Sequence, residues 1–179
     1  MTAMQPERMH TVSLADRVAA LEAAFRDIAA TRMHGVPVLH PGLSVQAVGF
    51  EAEAEADGAW ALGVLVTPWF MNLLRLPLQA HTPATLAVGV SAPRDIGGQR
   101  FDFIGAHEGA IGGFETSSLF SPMFAFEDQA AAVATAGEVL ALLRMPSASA
   151  PVSVPATHKP ADAVPSRRGF LFGRTGAPA

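Results

Sequence analysis

The sequence of 179 residues contains no cysteine. Without thiolates the chain cannot form disulfides, cysteine-ligated zinc sites or iron–sulfur clusters, and it has no cysteine nucleophile. Lysine is almost absent as well, since eleven arginines accompany the single Lys159. The formal net charge of −4 argues against a general nucleic-acid-binding protein.

Long apolar runs are also missing. The most membrane-like stretch, residues 60–78, contains Pro68, Asn72 and Arg75, whereas a bilayer span needs about 20 predominantly apolar residues. The first eleven residues are polar, unlike a secretory signal. We therefore predict a cytoplasmic protein that is not inserted into a membrane.

Half of the residues are hydrophobic and 16% are charged, so the chain can bury an ordinary core. Residues 1–150 carry eight arginines against fifteen acidic residues, whereas residues 151–179 carry four basic residues and one acidic residue. The composition changes at the same place, because residues 146–165 are rich in proline, alanine, serine and valine and lack apolar periodicity. We predict one globular domain over residues 1–145, followed by a flexible linker and basic tail over residues 146–179.

Two segments have the apolar spacing of amphipathic helices. The first helix is predicted from five apolar residues spaced by four and three positions: Leu14, Val18, Leu21, Phe25 and Ile28. Ser13 is its expected N-cap, and Gly35 is its expected end. A second helix is predicted from about Asp128 to Leu143, where four residues share one face: Val133, Ala136, Leu140 and Leu143. Pro146 is expected to end it.

Between the helices, alternation of apolar residues predicts β-strands. The strands are expected at residues 45–50, 60–67, 85–90, 101–103 with an extension toward His107, and 114–118. No helix of roughly 10–15 residues separates these runs, which argues against parallel βαβ winding. The predicted fold class is therefore α+β, a single domain with a mainly antiparallel sheet of about four to six strands. An N-terminal and a C-terminal helix are expected to flank that sheet.

The histidines offer only weak candidates for chemistry, because none forms an HxH, HxxH or HExxH pair. His34 and His40 lie in a proline-rich stretch and could bind a metal or form ordinary turn hydrogen bonds. His107 and Glu108 are an acid–base pair by residue type, but neighbours in a strand point to opposite faces. We predict no catalytic residue, no metal and no cofactor. The alternative is a small enzyme or ligand-binding protein with a pocket near His107 and Glu108.

Two loop-like segments combine proline with large apolar side chains. The residues that we single out are Trp69, Phe70 and Met71 in the first segment, and Phe120, Met123 and Phe124 in the second. One interpretation is that these segments cover the core. The other is an adhesive surface, because methionine and aromatic residues are enriched where a protein binds an apolar segment of a partner. We predict partner binding for all six residues.

The end of the chain, residues 166–172, reads S-R-R-G-F-L-F and resembles a twin-arginine export motif. No apolar region or cleavage site follows it, so it cannot act as an export signal itself. Adjacent guanidiniums are nevertheless strong multivalent donors. We predict that four residues of this tail also bind a partner: Arg167, Arg168, Phe170 and Leu171.

Four pieces of the sequence, in order, resemble the HybE family of [NiFe]-hydrogenase assembly chaperones, which includes HupJ-like and HoxT-like proteins. They are Met33-His34 with Leu39-His40-Pro41, then Val66-Thr67-Pro68-Trp69, then Ser118-Leu119-Phe120-Ser121-Pro122, and finally Arg167-Arg168 with Leu171-Phe172-Gly173-Arg174. The resemblance implies a cytoplasmic accessory protein without catalytic residues. It further implies binding to a large or small precursor subunit of a hydrogenase and a delay of twin-arginine export until assembly is complete. A third possibility is a structural module that stays bound to the mature enzyme.

Overall fold

The structure, a computed structural model, describes residues 13–55, 58–78 and 86–145. Eight elements follow one another along the chain: α1 (Leu14–Ala30), β1 (Gln46–Glu55), β2 (Gly58–Val66), β3 (Met71–Pro77), β4 (Ser91–Ile96), β5 (Gln99–Glu108), β6 (Gly112–Phe120) and α2 (Gln129–Arg144). The predicted linker and tail at residues 146–179 lie outside the described residues.

The strands form one sheet in the order β1-β2-β3-β6-β5-β4, and every neighbouring pair is antiparallel. Consecutive strands are joined as hairpins, except that the chain leaves β3 in the middle of the sheet and returns at the β4 edge. The predicted α+β class, with an antiparallel sheet and two flanking helices, is therefore confirmed.

Helix α1 covers one face of the sheet. The side chain of Ser13 accepts a hydrogen bond from the backbone N–H of Asp16, as expected for its N-cap. Leu21, Phe25 and Ile28 are the buried residues of the helix. They pack in one cluster with strand residues such as Leu65, Leu74, Leu76 and Phe114. This cluster is one of the two parts of the hydrophobic core, and it packs α1 against the sheet.

Helix α2 fills the opposite face. Asp128 caps its first turn by accepting from the N–H of Ala131. Its buried residues, Ala132, Ala136, Leu140 and Leu143, pack with Leu62, Val64, Val66, Met71, Leu73 and Phe103 of the sheet. Two glycines let the backbone approach this helix closely. A Cβ on Gly49 of β1 would lie 2.6 Å from Leu140, and one on Gly97 of the β4–β5 turn would lie 2.0 Å from the carbonyl oxygen of Leu143.

Three sequence predictions differ from the structure. The alternation at residues 86–90 forms only one isolated bridge, at Val88, and the strand begins at Ser91 instead. The expected loop after Pro68 contains a central strand, β3, which is buried along nearly its whole length. Helix α1 ends at Ala30, several residues before Gly35, because its C-cap Thr31 leaves the helical conformation, with φ −114° and ψ −82°.

A buried ion cluster lies on the α2 face. Glu115 of β6 accepts from Arg75 of β3 at 2.6 Å and from Arg94 of β4 at 2.7 Å. The Arg75 guanidinium also lies 4.3 Å from the centre of the Trp60 ring. The backbone N–H of Leu86 donates to Glu115 at 3.3 Å. The cluster therefore connects three strands to the segment that leads into β4.

The backbone of Leu86 and Ala87, in the segment that leads into β4, lies directly against Gly105 of β5. A Cβ on Gly105 would lie 2.3 Å from the carbonyl oxygens of both Leu86 and Ala87. We expect Gly105→Ala to lower the free energy of unfolding by about 1–3 kcal/mol, because backbone atoms cannot shift cheaply to admit a methyl group. Gly109→Ala is the matched control, since nothing lies within 4 Å of its Cβ position. Equal midpoints of the two variants in urea denaturation would contradict this prediction.

Candidate functional site

Three segments meet where β2 ends and β3 begins, and we call them together the rim: residues 36–43, 67–70 and 119–128. The backbone N–H of His40 donates to the carbonyl oxygen of Pro68 at 2.8 Å. The hydroxyl of Ser121 lies 3.4 Å from the carbonyl oxygen of Trp69. The rings of His40 and Phe124 lie 6.3 Å apart. These contacts bring together pieces of chain that are far apart in the sequence.

Thr67 organises the turn between β2 and β3. It is fully buried, and its hydroxyl accepts from the N–H groups of Trp69 and Phe70. Its own N–H and hydroxyl both donate to the carbonyl oxygen of Phe70. Hydrogen bonds within residues 67–70 therefore fix the shape of this turn. The Trp69 ring is held at 79° against the Phe70 ring, with 5.5 Å between centres.

The loop at residues 36–43 is fixed in a similar way. The Nδ1 atom of His40 accepts from the backbone N–H of Gly42 at 3.1 Å. The N–H groups of Leu39 and Leu43 donate to the carbonyl oxygens of Val36 and His40. The imidazole of His40 thus serves as a structural part of the rim. The described residues contain no group of three histidine, aspartate or glutamate side chains that could hold a metal ion.

The structure divides the predicted partner-binding residues by exposure. Phe124 is 56% exposed and Phe120 is 37% exposed, whereas Trp69 and Phe70 are half-buried. Met71 and Met123 are 0% exposed and belong to the core beneath α2. Their side chains face inward from β3 and from the loop before α2, so neither methionine lies on the surface of the rim, and partner contact by these two residues stays a prediction.

The charge of the rim is negative. It contains the exposed residues Glu127 and Asp128, and no lysine or arginine. Phe120 packs edge-on against Phe126, with 5.1 Å between ring centres. An exposed aromatic surface beside two carboxylates fits an apolar partner segment that carries basic residues.

His107 and Glu108 do not form an acid–base site. Glu108 faces α1 and forms an ion pair with Arg32 at 2.7 Å. It lines an open groove of about 470 Å³ beside α1, which His107 does not line. His107 is exposed. The neighbouring strand positions point to opposite faces, as expected from the alternation of side chains.

One rim residue, Thr67, was missed as a candidate. It occurs in a family-like motif, but nothing in residue type alone marks it as an organiser of the surface. The signal was a hydroxyl two residues before Trp69, which is a spacing of local side-chain-to-backbone hydrogen bonds. His40 was considered as a metal ligand or as a residue with ordinary turn hydrogen bonds, and its bond to the N–H of Gly42 is of the second kind. The predicted binding residues Arg167, Arg168, Phe170 and Leu171 lie outside the described residues.

Among the described residues, no helix is long and apolar enough to cross a membrane.

Comparison with known proteins identifies the family. The family described as "[NiFe]-hydrogenase assembly, chaperone, HybE" matches residues 16–173. HoxT from Cupriavidus necator is 49% identical over 166 residues, which cover 89% of this chain and 89% of that protein. The hydrogenase expression/formation protein HupJ from Bradyrhizobium diazoefficiens is 38% identical over 153 residues, covering 86% of this chain and 85% of that protein.

The solution structure of HybE from Escherichia coli has the same fold. It matches with a TM-score of 0.55 and 21% sequence identity, covering 90% of this chain and 91% of that chain. The sequence relationship carries the family assignment, and the structural match supports the fold. The chain belongs to the HybE family of [NiFe]-hydrogenase assembly chaperones.

Proposed function

We propose that the chain acts in the cytoplasm by binding a precursor subunit of a [NiFe]-hydrogenase at the rim, and that it holds back twin-arginine export until assembly is complete. The observation that carries this proposal is the exposure of Phe120 and Phe124 beside the half-buried Trp69. Aromatic anchors of this kind contribute much of the free energy of protein association.

The rim has properties that suit reversible binding of a protein segment. Its shape is fixed by hydrogen bonds around Thr67 and His40, so little ordering is needed when a partner binds. Its surface combines two exposed phenylalanines with the carboxylates of Glu127 and Asp128. An unassembled subunit that still exposes apolar surface next to basic residues fits both features.

Affinity capture tests the proposal directly. The tagged chain is mixed with each hydrogenase subunit separately, as the precursor and as the mature form. We expect retention of a precursor subunit and loss of that subunit after maturation. Retention of the mature enzyme would instead identify a structural module, and retention of neither form would contradict the proposal.

The basic tail provides a further prediction. We propose that Arg167 and Arg168, with Phe170 and Leu171, compete with the export signal of the small subunit while assembly is incomplete. Arg167→Ala with Arg168→Ala should advance export of incompletely assembled hydrogenase, because ten guanidinium N–H donors are removed. Fractionation of cells followed by hydrogenase activity staining measures this.

The matched control is Lys159→Ala with Arg174→Ala, which also removes two basic charges of the tail but leaves residues 166–172 unchanged. Unchanged timing of export in the double variant would exclude the tail from this role and leave rim binding to be judged on its own.

A further inference from the structure

We infer that the rim recognises its partner segment as an α-helix, through side chains on one helical face, and not as an added β-strand. This inference rests on the proposed function in one respect, since it takes the rim as the partner-binding surface. It names the conformation and chemistry of the bound segment: an amphipathic helix with an apolar face and flanking arginine or lysine residues.

The first observation is that the β2–β3 turn of the rim uses its own backbone groups internally. The N–H groups of Thr67, Trp69 and Phe70 are all bonded within the turn. The carbonyl oxygens of Pro68 and Phe70 accept from the N–H of His40 and from Thr67, respectively. An extended segment beside Trp69 and Phe70 would therefore find aromatic side chains but few backbone partners in this turn for its own N–H and C=O groups.

The second observation concerns the β1 edge of the sheet, beside the rim. Side chains of both helices bond to backbone groups of the first part of β1 and of Ser44 just before it. Glu22 of α1 accepts from the N–H of Ala47 at 2.8 Å, and Gln129 of α2 accepts from the N–H of Ser44 at 2.9 Å. Arg144 donates to the carbonyl oxygen of Gly49. A strand cannot pair with this part of β1 without displacing these side chains.

The third observation concerns the other edge, β4. The N–H of Gly105 donates to the carbonyl oxygen of Val90, which sets the alternation of bonded pairs between β4 and β5. By that alternation, Ser91, Pro93 and Asp95 direct their backbone groups outward. Pro93 has no N–H, so the centre of this edge cannot donate to an added strand.

The backbone of the bound segment must therefore satisfy its own hydrogen bonds, because an unpaired N–H or C=O group buried against aromatic rings is costly. An α-helix does this and presents apolar side chains at positions i, i+3, i+4 and i+7. The charge of the rim completes the description. Glu127 and Asp128, without any lysine or arginine in the rim, favour a helix with basic residues beside its apolar face.

Two designed peptides of identical composition test the inference. Each contains leucine, phenylalanine, alanine and arginine, with one lysine and one glutamate, in about 18 residues. In the first peptide the lysine and the glutamate lie four positions apart and are joined as a side-chain lactam, which makes a helix of this length stable. The first peptide has helical apolar spacing, and the second alternates apolar and basic residues as a strand does. Fluorescence anisotropy of labelled peptides with the full chain measures both dissociation constants.

We expect the helical peptide to bind at least tenfold more tightly than the alternating peptide. Phe124→Ala should weaken binding of the helical peptide about tenfold, whereas Ile104→Ala should leave it unchanged. Ile104 is the matched control because it is 47% exposed on β5, outside the rim. Glu22→Ala frees the N–H of Ala47 for pairing, so any gain in binding should be seen with the alternating peptide. Glu22→Gln, which keeps an accepting oxygen, is the control for this variant.

Stronger binding of the alternating peptide to the unaltered chain would overturn the inference. So would equal binding of the two peptides, or no binding of either. The outcome is separable from the proposed function: capture of a hydrogenase precursor without binding of the helical peptide rejects only the helical mode. Binding of the helical peptide at Phe124 without capture of any precursor rejects only the proposed partner.

Discussion

Replacing Glu115 with glutamine should lower the free energy of unfolding by about 3–5 kcal/mol. Glu115 is fully buried, and its carboxylate contacts the guanidiniums of Arg75 and Arg94. Glutamine has nearly the same size but no negative charge. The substitution therefore leaves the shape of the site intact and removes the negative charge that Glu115 places between the two guanidiniums.

The location of this cluster explains the size of the expected effect. Arg75 is 1% exposed on the central strand β3, where water cannot replace the lost carboxylate. Arg94 belongs to β4, and the N–H of Leu86, just before that strand, also donates to Glu115. Loss of the carboxylate thus weakens the attachment of β4 and of its incoming segment to the middle of the sheet.

Urea denaturation followed by circular dichroism measures this effect, and Glu108→Gln is the matched control. Glu108 pairs with Arg32 at 2.7 Å, but the Arg32 side chain is largely exposed. Exposed ion pairs typically contribute about 0–1 kcal/mol. A loss below about 1 kcal/mol for Glu115→Gln would contradict this prediction and show that the charge of Glu115 contributes little to the stability of the fold.

The two helices could be predicted from the sequence because their signals are local. Ser13 and Asp128 are polar caps directly before runs of apolar residues at helical spacing, and both side chains accept the expected backbone N–H. Such signals do not depend on which strands lie beneath the helix. The end of α1 was less predictable, since Thr31 and Gly35 are both reasonable stops and only the packed chain selects between them.

The missed strands have a physical cause. β3 is central and buried on both faces, so its apolar residues do not alternate with polar ones. It also contains Arg75, whose partner Glu115 is 40 residues away in the sequence. β4 contains Pro93, which is allowed because it lies at the edge of the sheet. Both cases depend on the position of a strand within the sheet, which no short stretch of sequence encodes.

The same limit applies to the rim. The sequence indicated two segments rich in aromatic residues and methionine, but not which side chains would remain exposed. Met123 and Phe124 are neighbours, and one is buried whereas the other is 56% exposed. Their difference arises because the loop before α2 turns one side chain into the core beneath the helix. Only the packed structure separates a core residue from a candidate anchor in such a segment.

Replacing both Phe120 and Phe124 with alanine should weaken binding of the precursor subunit by at least about 2 kcal/mol, or about 30-fold in the dissociation constant. Phe124 is 56% exposed and Phe120 is 37% exposed, so the packing that is lost is mainly that of Phe120 against Phe126. An aromatic pair of this kind contributes about 0.5–1.5 kcal/mol to stability beyond its buried area, less than the expected loss of binding. Binding and stability should therefore separate in this variant.

Trp69→Ala and Ile104→Ala are the two variants with which the double phenylalanine variant is compared. Trp69 is half-buried and packs with the cluster beneath α1, so its loss should reduce both stability and binding. Ile104 is exposed outside the rim, so its loss should reduce neither. Isothermal titration with the precursor subunit and thermal denaturation of each variant measure the two quantities. If the double phenylalanine variant lost several kcal/mol of stability yet bound the precursor normally, Phe120 and Phe124 would belong to the core and the partner would bind elsewhere.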